Sequence, residues 1–505
     1  MTSDTDHLTI YGTNGTRQAA QHPATGYTEF PRSQQEREAP SAVVHMKVYK
    51  KRWYILAMFS LVTFMQSEQV NSWTVIDESA EVAFGWTKQQ ISLMQIWIYS
   101  TFIVSLFPFL WLMDKIGLRV PVLLCAGLSM TGALLRCLSD QPPYVTWFAN
   151  AAHIAIGLGG PVAFTVGPVL SSLWFPPNQR ATATAVAMIS GFGGAAGCFA
   201  LGPSVVEQPK LNMTMSHKLI CVIFLDIDAI KREIMYVRYG ECLFTALIFV
   251  AILTYFPAKP KLPPSISASL EKLHFRQSLK RLIGRGSGNF WLVCLPYTIS
   301  TSIYGIWSAL FNINLKSLGV SEKEAGWLGF WAVTVGCLAA IIIGRIADVL
   351  VGHMKMMVLL LITGNVLSTL VFLLIANGFI PATTWILYTT CIVQGFFLNG
   401  AIPLYFELAM ESTYPITETM TSGIMNLTYN IIPLFFVLVF LIPNVGLGWM
   451  NWVMFGSVVA SFPMMLVFKE HYNRLNVDQH TEVQSADTKN PSVQEREPLL
   501  SSESS

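Results

Sequence analysis

Apolar residues along this chain fall into twelve blocks of about twenty, separated by short polar stretches. A helix of that length crosses a hydrocarbon core of roughly 30 Å. The pattern therefore predicts an all-α membrane protein with twelve transmembrane helices. The predicted spans are 53–75, 91–113, 120–138, 146–172, 182–206, 238–257, 289–316, 325–344, 357–376, 384–409, 421–442 and 450–468.

Composition supports this class of protein. The chain is 52% hydrophobic and 12% charged, whereas a soluble domain carries about 25% charged residues. Its eight cysteines form no CxxC pair or other metal-type spacing. We expect no catalytic residue, no metal, no cofactor and no nucleic-acid partner, because the sequence contains no motif for any of them.

The basic residues indicate which side of the membrane the termini occupy. Most Lys and Arg residues lie on the side that holds both termini, with dense clusters at 47–52 and 258–288. The positive-inside rule then places both tails in the cytosol. The long 258–288 linker separates six spans from six, which predicts two six-helix bundles between polar, disordered tails. The predicted organisation is tail 1–48, bundle 49–257, linker 258–288, bundle 289–469 and tail 470–505.

Two short motifs occur once in each half of the chain. DKIGLR at 114–119 follows span two, and GRIADVLVGHMK at 344–355 follows span eight. FPPNQRATATA at 175–185 follows span four, and YPITETMTSG at 414–423 follows span ten. Matched positions in both halves indicate a duplicated bundle and favour a gate over a generic charged turn.

This arrangement resembles the major facilitator superfamily, whose loop after the second helix has a Gly-x-x-x-Asp pattern followed by Gly and basic residues. The resemblance implies that the loop carboxylate caps a neighbouring helix end and that basic residues pair with nearby acids. Such a latch closes one face and breaks as the two halves rock. The gate residues that it predicts are Asp114, Gly117, Arg119, Arg180, Asp348, Glu407 and Glu411.

Longer stretches are similar to the haem- and choline-exporter family that contains the feline leukaemia virus subgroup C receptor. They include YKKRWYILAMFSL, AGWLGFW and FELAMESTYPITETMTSG. TYFPAKPKLPPSISAS and DIDAIKREIMYVRYG resemble its lysosomal branch, that of the disrupted in renal carcinoma protein. The resemblance implies a carrier of choline, haem or pyridoxine. Val70 stands where the relatives carry a substrate-facing Trp.

Two ionisable side chains in the spans are candidates for proton coupling. Charged groups at membrane depth are costly, so each is a functional hypothesis. Glu68 in span one and His153 in span four occupy the lumenal halves of their helices. In the family's fold these spans line the central cavity, so the two could approach each other and titrate with lumenal pH. The alternative is a structural helix contact.

An aromatic stripe on span seven is the candidate substrate wall. Such a stripe suits a cationic or ring-shaped solute through cation–π or stacking contacts, although it is also typical of ordinary packing. The resemblance aligns Tyr304 and Asn312 with a Tyr and an Asn in the relatives, where the Tyr faces substrate. The predicted substrate-binding residues are Gln69, Trp73, Tyr304, Trp307, Asn312, Asn426 and Asn430.

The polar segments carry two signals. Glu495 precedes Leu499 and Leu500 in EREPLLSSESS, an acidic dileucine pattern that clathrin adaptors read for delivery to lysosomes. Asn212 begins an Asn-Met-Thr glycosylation sequon in the longest predicted lumenal loop.

These features together predict a secondary transporter that works by alternating access. We expect a monomer that moves a small vitamin-like or cationic solute, such as pyridoxine or choline, across the lysosomal membrane, with proton drive and electrogenic transport. The alternatives are a plasma-membrane facilitator of haem or choline, and a nutrient sensor built on a transporter scaffold.

Overall fold

The computed structural model describes residues 46–206, 227–439 and 448–479, except 271, 285–286, 351 and, within 310–321, all but 315, 318 and 320. Five of the predicted functional residues lie outside the described part of the chain. They are Asn212, Asn312, Glu495, Leu499 and Leu500.

The described residues form helices and connecting turns, without a strand. The helices are α1 (Arg52–Asn71), α2 (Asp77–Phe84), α3 (Lys88–Ile116), α4 (Arg119–Arg136), α5 (Tyr144–Trp174), α6 (Arg180–Val205), α7 (Ile227–Thr254), α8 (Ile266–Ser269), α9 (Phe275–Ile283), α10 (Gly288–Ala309), α11 (Glu322–Val349), α12 (Met354–Ala376), α13 (Thr384–Thr413), α14 (Glu418–Val439), α15 (Trp449–Val467) and α16 (473–479).

The long helices lie at the positions of the predicted spans. Nine of them, among the described residues, are long and apolar enough to cross a membrane: α3, α4, α5, α6, α7, α11, α12, α13 and α15. The other three, α1, α10 and α14, occupy the positions of predicted spans one, seven and eleven. In α1 the apolar run is interrupted by buried polar side chains, among them Gln66, Glu68 and Gln69.

Two elements differ from the sequence-based expectation. Helix α7 begins at Ile227 instead of 238, because Ile230 and Ile234 of its first turns are buried in a cluster with apolar residues of α2. Residues 473–479 form a helix inside the tail that we expected to be disordered throughout. Arg474 and Asp478 on that helix are both buried, which explains why this part of the tail is ordered.

Close helix contacts hold each half together. In the first half α1 packs on α6, and in the second half α11 packs on α13. A Cβ at Gly194 would lie 2.0 Å from the Phe64 carbonyl oxygen, and one at Gly395 would lie 2.3 Å from that of Ala332. Glycine at these two positions therefore lets the backbones touch, which is the usual basis of helix association in membranes.

The two halves meet along α6 with α11, and along α14 with α3 and α5. We call the end of the bundle where α1 begins and α15 ends the tail face. The loops 114–119, 175–182 and 414–418 lie at this face, which is where the predicted gate residues converge.

Candidate functional site

Asp348 joins the two halves at the tail face. Its Oδ1 accepts the Ala181 backbone N–H at 2.9 Å, and its Oδ2 accepts the backbone N–H of Thr182 at 2.9 Å and the hydroxyl of Thr182 at 2.5 Å. The first N–H groups of a helix have no partner within the helix and favour an anion. The last turn of α11 in the second half therefore caps the start of α6 in the first.

Beside this cap, one buried arginine forms ion pairs with two carboxylates. Glu407 and Glu411 lie one turn apart on α13, and both bind Arg474 of α16, with N–O distances of 2.6 and 2.8 Å. Glu407 also accepts the Thr184 hydroxyl of the first half at 2.8 Å. Burial alone would lower the pKa of the Arg474 guanidinium, but Glu411, Glu407 and the more distant Glu418 outweigh it and raise that pKa.

Arg180 ties the linker and α16 to the first half. Its NH1 lies 3.1 Å from Asp478 Oδ2, and its NH2 donates to the hydroxyls of Ser265 and Ser267 at 2.6 and 3.0 Å. Asp478 also accepts the Ser267 backbone N–H at 2.7 Å. Four parts of the chain thus meet at one buried charge network: α6, α8, α13 and α16.

Arg474 and Asp478 are functional candidates that the sequence analysis missed. The signal was present, because an arginine and an aspartate four residues apart share one helix face. The surrounding segment was assigned to the tail because the last apolar block ends at 468.

The first copy of the loop motif contacts the second half differently. Gly117 ends α3 with φ +85°, a conformation that side chains disfavour. Asp114 lies near the Thr419 side chain of the second half, and Arg119 is exposed. Leu110, where the second copy has Gly344, fits against Gly423, at which a Cβ would lie 2.6 Å from its side chain.

Inside the first half, four charged side chains form a buried cluster. We call Glu68 of α1, Arg136 of α4, and Arg238 and Glu241 of α7 the charged cluster; none is more than 8% exposed. Arg238 hydrogen-bonds Glu241, and Arg136 lies 3.7 Å from the same carboxylate.

Two predicted substrate residues, Gln69 and Trp73, adjoin this cluster. The backbone oxygen of Gln69 accepts from Arg136 at 2.7 Å, and its side chain donates to the Thr245 hydroxyl at 3.1 Å. The Arg238 guanidinium lies 4.3 Å from the centre of the Trp73 ring. Both side chains therefore pack within the first half.

His153 is buried on α5, where its Nδ1 lies 2.7 Å from the Ala149 carbonyl oxygen. Its Nε2 is buried without a hydrogen-bond partner. Within the described part of the chain, no hydrogen bond or ion pair joins His153 to Glu68, so the predicted approach of the two is not realised as a direct contact.

Aromatic side chains from three helices of the second half form what we call the aromatic site. Tyr297 packs its ring 6.0 Å from that of Tyr405 and 6.1 Å from that of Tyr429. Two helical turns further along α10, the ring of Tyr304 lies 6.0 Å from that of Trp307. The hydroxyls of Tyr304 and Tyr405 are buried and have no hydrogen-bond partner among the residues that the structure describes. They could therefore bond a polar solute without first breaking an existing contact.

Asn426 of α14 connects the second half to the first, whereas Asn430 bonds within its own helix. The Asn426 amide donates to the Phe164 carbonyl oxygen of α5 at 3.0 Å, and Asn430 donates to the Asn426 carbonyl oxygen at 2.8 Å. Of the predicted substrate residues, Tyr304 pairs with Trp307 and Asn426 with Asn430, whereas Gln69 and Trp73 lie with the charged cluster.

Comparison with known proteins agrees with this architecture. The model of the Major Facilitator Superfamily matches residues 52–436. The solute carrier family 49 member 4 homolog of Xenopus tropicalis is 37% identical over 436 residues, covering 86% of this chain and 94% of the relative. The choline/ethanolamine transporter FLVCR1 of Mus musculus is 28% identical over 396 residues, covering 77% and 69%.

Solved structures share the fold. The Escherichia coli fucose:proton symporter FucP superposes with a TM-score of 0.60 at 13% identity, covering 83% of this chain and all of that one. A second FucP structure, in the outward conformation, gives 0.58.

These relatives are transporters and not enzymes, which confirms the predicted class and the suspected resemblance. The chain is a multi-pass membrane protein and a secondary transporter of a small molecule. It belongs to the major facilitator superfamily and, within it, to solute carrier family 49.

Proposed function

We propose that this protein carries a small cationic or ring-shaped organic solute across the lysosomal membrane by alternating access, with proton drive. The observation that carries the proposal is the cap that Asp348 of the second half places on α6 of the first half. Alternating access needs a contact that closes one face and can break without disrupting either bundle. A carboxylate on a helix N-terminus meets this requirement, because water can replace its partners when the face opens.

The aromatic site supports the solute class. Aromatic rings attract cations such as quaternary ammonium groups and stack on flat rings. The free hydroxyls of Tyr304 and Tyr405 suit a solute with its own polar groups. Pyridoxine is a ring with hydroxyl groups and choline is a quaternary ammonium alcohol, so each satisfies part of this description.

The lysosomal location rests on the acidic dileucine at Glu495, Leu499 and Leu500, which a clathrin adaptor could bind. Proton drive rests on buried Glu68 and His153, since an acidic lumen supplies protons to such groups. Net movement of a proton with a neutral or cationic solute would make transport electrogenic.

A second candidate is a facilitator of the choline type at the plasma membrane. The 28% identity to a protein named choline/ethanolamine transporter favours it. The two candidates differ in location, in solute and in the response to pH.

Tracer uptake by a surface-directed variant separates them. With Leu499→Ala and Leu500→Ala the protein should reach the cell surface, where uptake of pyridoxine, choline and haem is measured at external pH 5 and 7.4. We expect one solute to enter several-fold faster at pH 5. Equal uptake at both pH values would favour the facilitator, and no uptake of any solute by surface-exposed protein would contradict the solute class.

Tyr304→Phe should weaken solute binding without altering the fold. It removes one hydroxyl that has no protein partner, so the loss is the single hydrogen bond to the solute, about 1 kcal/mol or roughly fivefold in KM. Surface abundance and the maximal rate should stay unchanged. The matched control is Tyr239→Phe, at a half-exposed position on α7. An unchanged KM for Tyr304→Phe would remove this hydroxyl from the binding site.

A further inference from the structure

The charged cluster contains two carboxyl groups that face each other. Glu68 on α1 and Glu241 on α7 lie within hydrogen-bonding reach through their side chains. Glu68 is 8% exposed and Glu241 7% exposed, so both carboxyl groups are shielded from bulk water. Two ionised carboxylates can only accept hydrogen bonds. A hydrogen bond between these two side chains therefore requires that one of them is protonated.

Most of the cluster's other polar atoms have partners. Arg238 donates to Glu241 Oε1 and to the Ser72 carbonyl oxygen, and Arg136 donates to the Ser72 hydroxyl at 3.0 Å. The Cys198 thiol donates to the Glu68 backbone oxygen at 3.0 Å and faces Glu68 Oε1 at 3.6 Å. The remaining carboxyl oxygens, Glu68 Oε2 and Glu241 Oε2, are both buried and have no donor in the described part of the chain. One proton between the two side chains would satisfy both oxygens.

The arginines determine which carboxyl holds the proton. Glu241 is ion-paired with Arg238 and lies 3.7 Å from Arg136, so it is the ionised partner. Glu68 has a thiol and the Glu241 carboxylate as its neighbours, so it is the acid. In this arrangement the Glu68 O–H donates to Glu241.

We propose that Glu68 and Glu241 form a proton-binding site in which Glu68 is the acid and Glu241 the acceptor. The proton bound there is the one that drives the transport cycle, a role that rests on the function proposed above. The Glu241 carboxylate favours the bound proton. Arg136 and Arg238 favour its release, because without it the cluster holds two positive and two negative charges. With these opposing effects, the site can both bind a proton and release it during a transport cycle.

His153 is the other ionisable group that faces this region, from α5. Arg136 and Arg238 both act on it electrostatically, so a proton on His153 would put a third cation beside two arginines. Two thiols are also titratable neighbours of the cluster. Cys198 of α6 donates to the Glu68 backbone oxygen, and Cys137, directly after α4, donates to the Arg238 backbone oxygen at 3.4 Å. Of the two candidates for the proton site, the carboxyl pair is therefore the better one.

Infrared spectroscopy of the purified full-length protein in liposomes tests the proton site without any solute. At pH 6 exposed carboxyls are ionised, so the difference spectrum of wild type minus Glu68→Gln should contain a carboxylic-acid C=O band. Glu81→Gln, on α2 outside the cluster, should give no such band. Glu241→Gln should also remove the band, because Glu68 would then ionise beside Arg238. Absence of the band in the Glu68→Gln difference would overturn the proposal.

Uptake tests the link to transport. In Glu68→Gln the amide N–H can donate to Glu241 as the acid would, so the fold and surface abundance should be retained. The ratio of uptake at pH 5 to that at pH 7.4 should fall to about one, whereas Glu81→Gln should keep the wild-type ratio. A wild-type ratio in Glu68→Gln would refute the coupling role. Lack of uptake of every solute by wild type would contradict the proposed function while leaving the infrared result intact.

Discussion

Replacing Arg474 with methionine should lower the free energy of unfolding by about 3–5 kcal/mol, the cost of breaking a buried ion pair by removing one partner. The guanidinium is 2% exposed and contacts Glu407 and Glu411 through separate nitrogens. Without it these two carboxylates stay buried one turn apart with no cation between them. A thermal melt of the purified protein in detergent should show the apparent Tm fall by about 3–5 °C.

Three further variants show whether charge or size is responsible. Arg474→Lys keeps the charge but loses the forked geometry, so its Tm should lie between wild type and Arg474→Met. Adding Glu411→Gln to Arg474→Met removes one of the stranded charges and should recover part of the loss. Lys469→Met, an exposed position five residues earlier, is the matched control and should melt like wild type. If the melting curve of Arg474→Met overlays that of wild type, the contacts of α16 do not stabilise the tail face.

The helix positions were predictable because each span is a long apolar run, and α5, α12, α13 and α15 begin and end within a few residues of the expected bounds. The loop motifs were predictable because Gly344 and Asp348 sit in a fixed local pattern. What the sequence lacked was the partner of each buried group. Periodicity assigns Glu68 to a helix face, but Glu241 lies far along the chain on α7 and faces it only through tertiary packing.

The polar stripes of α1 illustrate the same limit. Helical spacing places Gln66 and Gln69 on one face of α1, but it does not identify what each side chain contacts. In the structure, Gln66 donates to the Ile156 carbonyl oxygen of α5, and Gln69 donates to Thr245 of α7. Each amide satisfies a different neighbouring helix, which residue type and spacing alone do not reveal.

Replacing Asp348 with alanine should shift the protein away from the conformation in which the tail face is closed. The carboxylate accepts three hydrogen bonds from the start of α6, two from backbone and one from the Thr182 hydroxyl. Hydrogen bonds to a charged group contribute about 1.5–3 kcal/mol each, and water recovers part of that once the face opens. A net loss of about 3 kcal/mol corresponds to roughly a hundredfold change in the ratio of closed to open protein.

Spin labels across the tail face measure this shift directly. Cysteines introduced at the exposed positions Lys115, at the end of α3, and Met356, in α12, report the separation of the two halves. In Asp348→Ala the longer-distance population should grow at the expense of the shorter one, and solute uptake should fall at least about tenfold, because each transport cycle must close this face.

Asp348→Asn, which keeps one acceptor oxygen but no charge, should fall between wild type and Asp348→Ala. Asp140→Asn, an aspartate outside the gate network, should change neither measurement. If Asp348→Ala kept the wild-type distances and uptake, the halves would have to be held by the Arg180 and Arg474 contacts alone, and the cap on α6 would be a consequence of closure and not its cause.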